Sequence, residues 1–139
     1  LNLFPRPMIE KNNFDFSFSG LKTAALRETK KRKTLTDNDQ QKLAAEVQQA
    51  IVDVLVAKTI KAAREFKVNS ILLGGGVASN EKLRTELQLN AKRYELNASI
   101  FAPQKSLCTD NAAMIASAAF FHFKPAPWKS IITDPSLHF

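Results

Sequence analysis

Leu72-Leu73-Gly74-Gly75-Gly76-Val77-Ala78-Ser79-Asn80 places three consecutive glycines between an apolar run and a helix start. Residues Ser70 to Leu73 have the length and content of a short buried strand. Three of the chain's four glycines fall here. Without Cβ atoms the backbone lies open, and the bare N–H groups of a helix N-terminus can receive a phosphate or a nucleotide. A tight strand-to-helix turn with no ligand has the same local pattern, so both readings stand. The junction is not a Walker loop, because no Gly-Lys-Ser/Thr follows it. Nor is it a dinucleotide fingerprint: there is no G-x-G-x-x-G, and no acid closes a clear second strand about 20 residues on. Asn80 is either a helix cap or a hydrogen-bond partner for a ribose or phosphate.

Upstream, residues 39 to 66 predict one long helix. Leu43, Val47, Ile51, Val54, Leu55, Ala62 and Phe66 recur mostly at three- and four-residue steps, and Val52, Val56, Ile60 and Ala63 form a second apolar face. A helix covered on two sides organises the core. Before it, residues 1 to 13 carry Pro5, Pro7, Asn12 and Asn13 and read as an irregular lead-in. Phe14-Asp15-Phe16-Ser17-Phe18 alternates aromatic and polar, the period of a half-buried strand. Ser19 or Gly20 caps a helix from about Leu21 to Lys30, whose end carries the basic run Lys30-Lys31-Arg32-Lys33. That run is either a solvated helix end favoured by the macrodipole or a phosphate contact.

Downstream, a helix from about Asn80 to Lys92 carries Leu83, Leu87 and Leu89, and Ser99-Ile100-Phe101 forms a short strand closed by Pro103. An alanine-rich helix from Ala112 to about Phe123 is suited to close approach to a neighbouring backbone. An irregular tail follows from about 124, expected to pack across the surface through Trp128. Strand and helix alternating after a long helix is an α/β pattern, a partial sheet flanked by helices.

The 139 residues suit one domain of ordinary size or a piece of a larger protein. A formal charge of +7 favours polyanionic partners such as nucleic acid, although a basic soluble protein shares that balance. One cysteine excludes an internal disulfide framework and suits a reducing cytosol. No apolar run approaches the roughly 18 residues of a membrane span, and no basic-then-apolar leader opens the chain. Leu1 in place of Met points to a processed or truncated product.

Of the other candidates, Thr109-Asp110-Asn111 precedes the alanine-rich helix, where Thr and Asp are ordinary caps. The alternative reading makes Asp110 a hard oxygen donor for a divalent ion, but one carboxylate is not a metal site. His122 and His138 lie at no useful spacing from it, so any metal needs ligands from outside this chain. Cys108 reads as a buried inert thiol, with soft ligation or reactivity as the alternative. His122 reads as structural and His138 as a surface or disordered residue near the end. There is no Ser-His-Asp or Cys-His constellation and no pair of carboxylates for acid–base work, so no catalytic residue is identified within the chain.

Three stretches carry a resemblance. Phe14-Asp15-Phe16-Ser17-Phe18-Ser19-Gly20-Leu21-Lys22-Thr23-Ala24, Gly75-Gly76-Val77-Ala78-Ser79-Asn80 and Cys108-Thr109-Asp110-Asn111-Ala112-Ala113-Met114-Ile115-Ala116 occur in order. Together, across about Phe4 to Phe123, they resemble the C-terminal part of the tRNA N6-adenosine threonylcarbamoyltransferase family, formerly named O-sialoglycoprotein endopeptidase or glycoprotease. The resemblance implies that residues 1–139 are the C-terminal portion of a two-lobed actin-like ATPase (ribonuclease H-like) fold, with a mixed sheet flanked by helices. It also implies a cytoplasmic enzyme that moves threonylcarbamoyl from threonylcarbamoyl-adenylate to N6 of adenosine 37, in tRNAs reading codons that start with A. Gly75, Gly76 and Asn80 would contact the adenylate or an ATP-type ligand, and Asp110 would ligate one iron or zinc ion that polarises the carbamoyl carbonyl. Implied partners are tRNA, a small paralogue of the same fold and accessory proteins of the pathway; no membrane is implied. The family's H-x-x-x-H histidines and its other phosphate-binding glycine loop are not in this sequence, so the chain alone is expected to be catalytically incompetent.

Two other functions stand beside this one. A metallo-endopeptidase acting on glycoproteins follows from the older family name, though the chain has no H-E-x-x-H. A non-catalytic nucleotide- or partner-binding module is the other.

Overall fold

The long helix is the axle of the molecule. The structure, a computed structural model, describes residues 3–32 and 34–133. Helix α1 spans Ser19–Lys30 and α2 spans Asp37–Glu65; strand β1 is Ser70–Leu72, α3 is Glu81–Arg93, β2 is Ser99–Phe101 and α4 is Ala112–Phe121. A capping box starts α2: the Asp39 amide donates to Thr36 Oγ1 at 3.2 Å, and the Thr36 amide donates back to Asp39 Oδ2 at 3.2 Å. The Thr36 bonds, and Arg32 beside them, hold the Asp39 carboxyl below its ordinary pKa.

Helix α2 serves two separate cores, divided along its length. Its C-terminal half contributes Val52, Val56, Ile60 and Ala63, which pack with Ile71 of β1 and Leu83, Leu87 and Ala91 of α3. Its N-terminal half contributes Leu43 and Ala50, packed with Phe4 of the lead-in and Leu21 of α1. Burial at about 25 cal/mol per Å² of apolar surface is the main driving force for both. The lead-in is irregular but strapped down. Arg6 donates to Asp53 Oδ2 at 2.9 Å and to the Phe4 carbonyl at 2.7 Å, while Lys58, only 2% exposed, donates to the Asn13 carbonyl at 2.8 Å and to Asn13 Oδ1 at 3.0 Å. Those acceptors stabilise an ammonium that burial alone would expel.

Strands β1 and β2 pair in parallel, Ser70 with Ser99, Ile71 with Ile100 and Leu72 with Phe101, and α3 is the crossover between them. The α/β character therefore holds, but the sheet among the described residues is two-stranded and parallel rather than mixed. The expected strand at Phe14–Phe18 does not form. A strand needs a neighbour to receive its backbone hydrogen bonds. With no ladder there, Phe14 instead rests on Phe66, ring centroids 5.3 Å apart, and Phe18 packs against the Phe4–Leu21 cluster.

Helix α4 is exposed along its whole length from Ala112, and its small residues stay uncovered among the described residues. One further expectation is corrected. Trp128 is 77% exposed and does not fasten the tail to the surface. No helix among the described residues is long and apolar enough to cross a membrane.

Candidate functional site

The strand-to-helix junction is built in two steps. After β1 the chain passes Leu73 and Gly74, turns at Gly75, makes a single 3-10 turn over Gly76–Ser79, and only then enters α3. Gly75 has φ 76°, a left-handed conformation that L side chains rarely adopt, and this is what requires glycine at that position. The Ala78 amide donates to the Gly75 carbonyl at 3.0 Å, and Ser79 Oγ donates to the Gly76 carbonyl at 2.7 Å. Among the described residues the amides of Gly74 and Gly75 have no hydrogen-bond partner. A Cβ placed on either glycine meets nothing within 4 Å, so the face is open to an incoming group.

Asn80 is the N-cap of α3: its Oδ1 accepts from the Leu83 amide at 3.0 Å, and its Nδ2 donates to Gln48 Oε1 of α2 at 3.3 Å. The cap alone accounts for its position. Its side chain stands at the end of the glycine turn.

The second predicted segment comes to the same place. A Cβ on Gly76 would lie 3.8 Å from Thr109 Cγ2, ordinary van der Waals contact. Asp110, the next residue, is exposed. The glycine turn and the Thr109–Asn111 segment, far apart in sequence, thus adjoin. Asn111, not Thr109 or Asp110, caps α4, its Oδ1 accepting from the Met114 amide at 2.9 Å. That leaves the Asp110 carboxylate outside the capping arrangement.

One side chain missed in the sequence holds the two segments together. Arg84, four residues after Asn80, donates from Nε to the Ala78 carbonyl at 2.5 Å and from one terminal nitrogen to the Pro103 carbonyl at 2.7 Å and Cys108 Sγ at 3.2 Å. The thiol is buried, as expected of an inert cysteine. The clue was a basic residue one turn inside a helix that opens on a glycine turn. A weaker, exposed bridge runs parallel: Lys105 Nζ lies 2.6 Å from Glu81 Oε1, and this hydrogen bond and charge lower the Glu81 pKa.

The other candidates divide. Lys31 pairs with Glu28 at 2.9 Å and Arg32 with Asp39, so two members of the basic run are engaged with acids of the same surface. The reading as a solvated helix end accounts for them. Lys33 and His138 lie outside the described residues. His122 is the exposed C-cap of α4 rather than a packed structural residue. A groove of about 560 Å³ between α2 and α3 is lined by residues that include Asp53, Lys61, Arg64, Glu86 and Tyr94, with none of the glycine turn or Asp110. No group of three or more His, Cys, Asp or Glu converges among the described residues. One carboxylate competes poorly with water for a divalent ion, so these residues do not by themselves fit a metal centre.

Comparisons with known proteins give the chain's family. The profile of the family described as TsaD, tRNA N6-adenosine threonylcarbamoyltransferase, matches residues 2–117. The chain belongs to the tRNA N6-adenosine threonylcarbamoyltransferase family. It is 48% identical over 122 residues to the enzyme of that name from Halalkalibacterium halodurans, covering 87% of this chain and 35% of the relative. It is 44% identical over 119 residues to that of Syntrophomonas wolfei, covering 86% and 34%. Against the Thermosipho africanus protein the identity is 42% over 137 residues, covering 96% and 38%. The chain therefore spans little more than a third of the length of these curated relatives, and it aligns with their C-terminal part.

Proposed function

We propose that the chain is the C-terminal portion of a two-lobed, actin-like ATPase-fold enzyme of the cytoplasm. That enzyme transfers threonylcarbamoyl from threonylcarbamoyl-adenylate to N6 of adenosine 37 in tRNA. The observation that carries this reading is the seating of the glycine turn against the Thr109–Asn111 segment in a chain of this family.

In this reading the backbone at Gly75 and Gly76 receives the adenylate part of the mixed anhydride, which leaves as AMP when the carbamoyl carbon is attacked. Unpartnered amides suit a phosphate, because N–H donors aimed at an oxyanion need no reorganisation when it arrives. Asn80, already fixed as a cap, presents its amide nitrogen at the end of the turn and holds a ribose or phosphate oxygen in place of Gln48. Asp110 supplies one oxygen donor to a divalent iron or zinc ion whose remaining ligands lie beyond this chain. tRNA is the acceptor, and a small paralogue with accessory pathway proteins completes the assembly. Alone, the chain binds but does not catalyse.

The test is a hybrid in which this chain replaces the corresponding C-terminal third of the Halalkalibacterium halodurans relative. Supplied with threonylcarbamoyl-adenylate, the accessory proteins and unmodified tRNA, the hybrid forms threonylcarbamoyladenosine, read by mass spectrometry of digested nucleosides; the chain alone forms none. A folded hybrid that leaves the nucleoside unmodified contradicts the proposal. Metal-dependent cleavage of a glycoprotein by that same hybrid would favour the endopeptidase reading, to which no contact described above lends support.

A further inference from the structure

Arg84 makes three hydrogen bonds, and every acceptor lies on a loop rather than in the two cores. The Ala78 carbonyl is two residues after Gly76; Cys108 is two residues before Asp110; Pro103 starts the connection that leads from β2 to Cys108. The cores are assembled by other side chains, Leu83, Leu87 and Ala91 on the α3 side. We propose that Arg84 is a positioning residue, a clamp that fixes the glycine turn against the Thr109–Asn111 segment and so sets the span across the candidate site. Its consequence for substrate rests on the adenylate reading above, whereas the clamp itself does not.

The chemistry requires arginine. A guanidinium is planar and presents N–H donors in a fixed fork, so one group can hold acceptors on two separate segments at a set spacing. A lysine ammonium is a point donor on a flexible stem. Charge assistance makes such bonds to carbonyl oxygens stronger than those between neutral groups. The Cys108 thiol adds a second tie, donating to the Gln104 carbonyl at 3.5 Å while its sulfur accepts from Arg84. The clamp thus ties together the two segments that adjoin at Gly76 and Thr109, where an added Cβ on the glycine would meet Thr109 Cγ2 at 3.8 Å.

Amide hydrogen exchange on the 139-residue chain tests this. The Ala78 and Asn80 amides, bonded to the Gly75 and Val77 carbonyls, report on the turn; those of Leu107 and Cys108, bonded to Gln104 and Lys105, report on the other segment. Val54 and Leu87, in the middle of α2 and α3, report on the cores. In Arg84→Ala the four loop amides should exchange about tenfold faster, the scale expected for losing a charged hydrogen bond, with the core pair within twofold of the parent. Arg84→Lys should restore protection on one segment at most, and added methylguanidinium should restore both in Arg84→Ala. Loop exchange within twofold of the parent, core exchange accelerated equally, or full protection by lysine would each overturn the clamp.

A titration with ATP as probe separates the clamp from the ligand reading. In the parent chain, ATP should shift the Gly75 and Gly76 amide resonances and the Thr109 resonance together; in Arg84→Ala it should shift the glycines only. Glycine resonances unmoved in the parent would sink the nucleotide reading, leaving the clamp to be judged on exchange.

Discussion

Asn80 carries a cap seen in the structure and a ligand contact proposed from it, and substitution pulls the two apart. In Asn80→Ala the 3.0 Å bond from the Leu83 amide is lost, leaving a part-buried donor unpaired at the first turn of α3. An N-cap of this kind contributes about 1 kcal/mol, so the melting temperature should fall by about 3–5 °C for a domain of this size. The 3.3 Å bond to Gln48 is exposed and long and adds little. In Asn80→Asp the cap acceptor survives, and a negative charge at a helix N-terminus is favourable by about 0.3–1 kcal/mol, so stability should match or slightly exceed the parent. The adenylate contact behaves oppositely. A carboxylate cannot donate to ribose or phosphate, and at about 4 Å from an anion it costs between about 1 and 4 kcal/mol depending on local polarity. Calorimetric titration of the hybrid enzyme with a stable adenylate analogue should therefore show at least tenfold weaker binding for Asn80→Asp, beside an unchanged melting curve. An Asn80→Asp protein that melts as low as Asn80→Ala would refute the cap argument. One that binds the analogue as tightly as the parent would refute the ligand role.

The glycines should differ among themselves. Gly75→Ala forces a side chain into a φ 76°, ψ 174° conformation that is essentially confined to glycine and should cost about 1–3 kcal/mol, whereas Gly74→Ala, with open space at its Cβ, should leave thermal unfolding unchanged. The Glu81 carboxyl, lowered in pKa by its Lys105 hydrogen bond, stabilises the fold above its unfolded pKa and loses that contribution as the group protonates through its lower folded value. Melting temperature should thus decline as pH falls below about 4.3, and Glu81→Gln should flatten part of that decline; identical pH profiles would show that the Lys105 bridge does not form.

Much of this architecture is legible in the sequence where local period and tertiary packing agree. The second face of α2, Val52, Val56, Ile60 and Ala63, packs as one set, but of the first face only Leu43, Val47 and Ile51 join the other core, while Leu55 packs with the second and Phe66 is exposed. The β1 and β2 runs are short and apolar, bounded by glycine and proline, and they pair as adjacent parallel strands. The failures occur where the outcome depends on a neighbour. Phe14–Phe18 has a strand period but no ladder to join, so its rings turn to Phe66 and the Phe4–Leu21 cluster. The alanines of α4 predict a close neighbour, and none is present among the described residues. Within the candidate site, the glycine turn and Asp110 stand out by residue type, but their adjacency comes from the βαβ crossover, which returns the chain beside its starting point. Arg84 has only its place one turn inside α3 as a sequence signal, because its acceptors, two carbonyls and a thiol scattered from Ala78 to Cys108, have no sequence pattern.

The sharpest measurement is the metal content and transfer activity of the hybrid enzyme with Asp110 changed to alanine. If this chain delivers one oxygen ligand beside an adenylate cradle, Asp110→Ala should lose iron or zinc by elemental analysis, and threonylcarbamoyladenosine formation with it, while its melting curve in the presence of chelator stays that of the parent. A variant that keeps its metal and modifies tRNA at the parental rate would contradict the account.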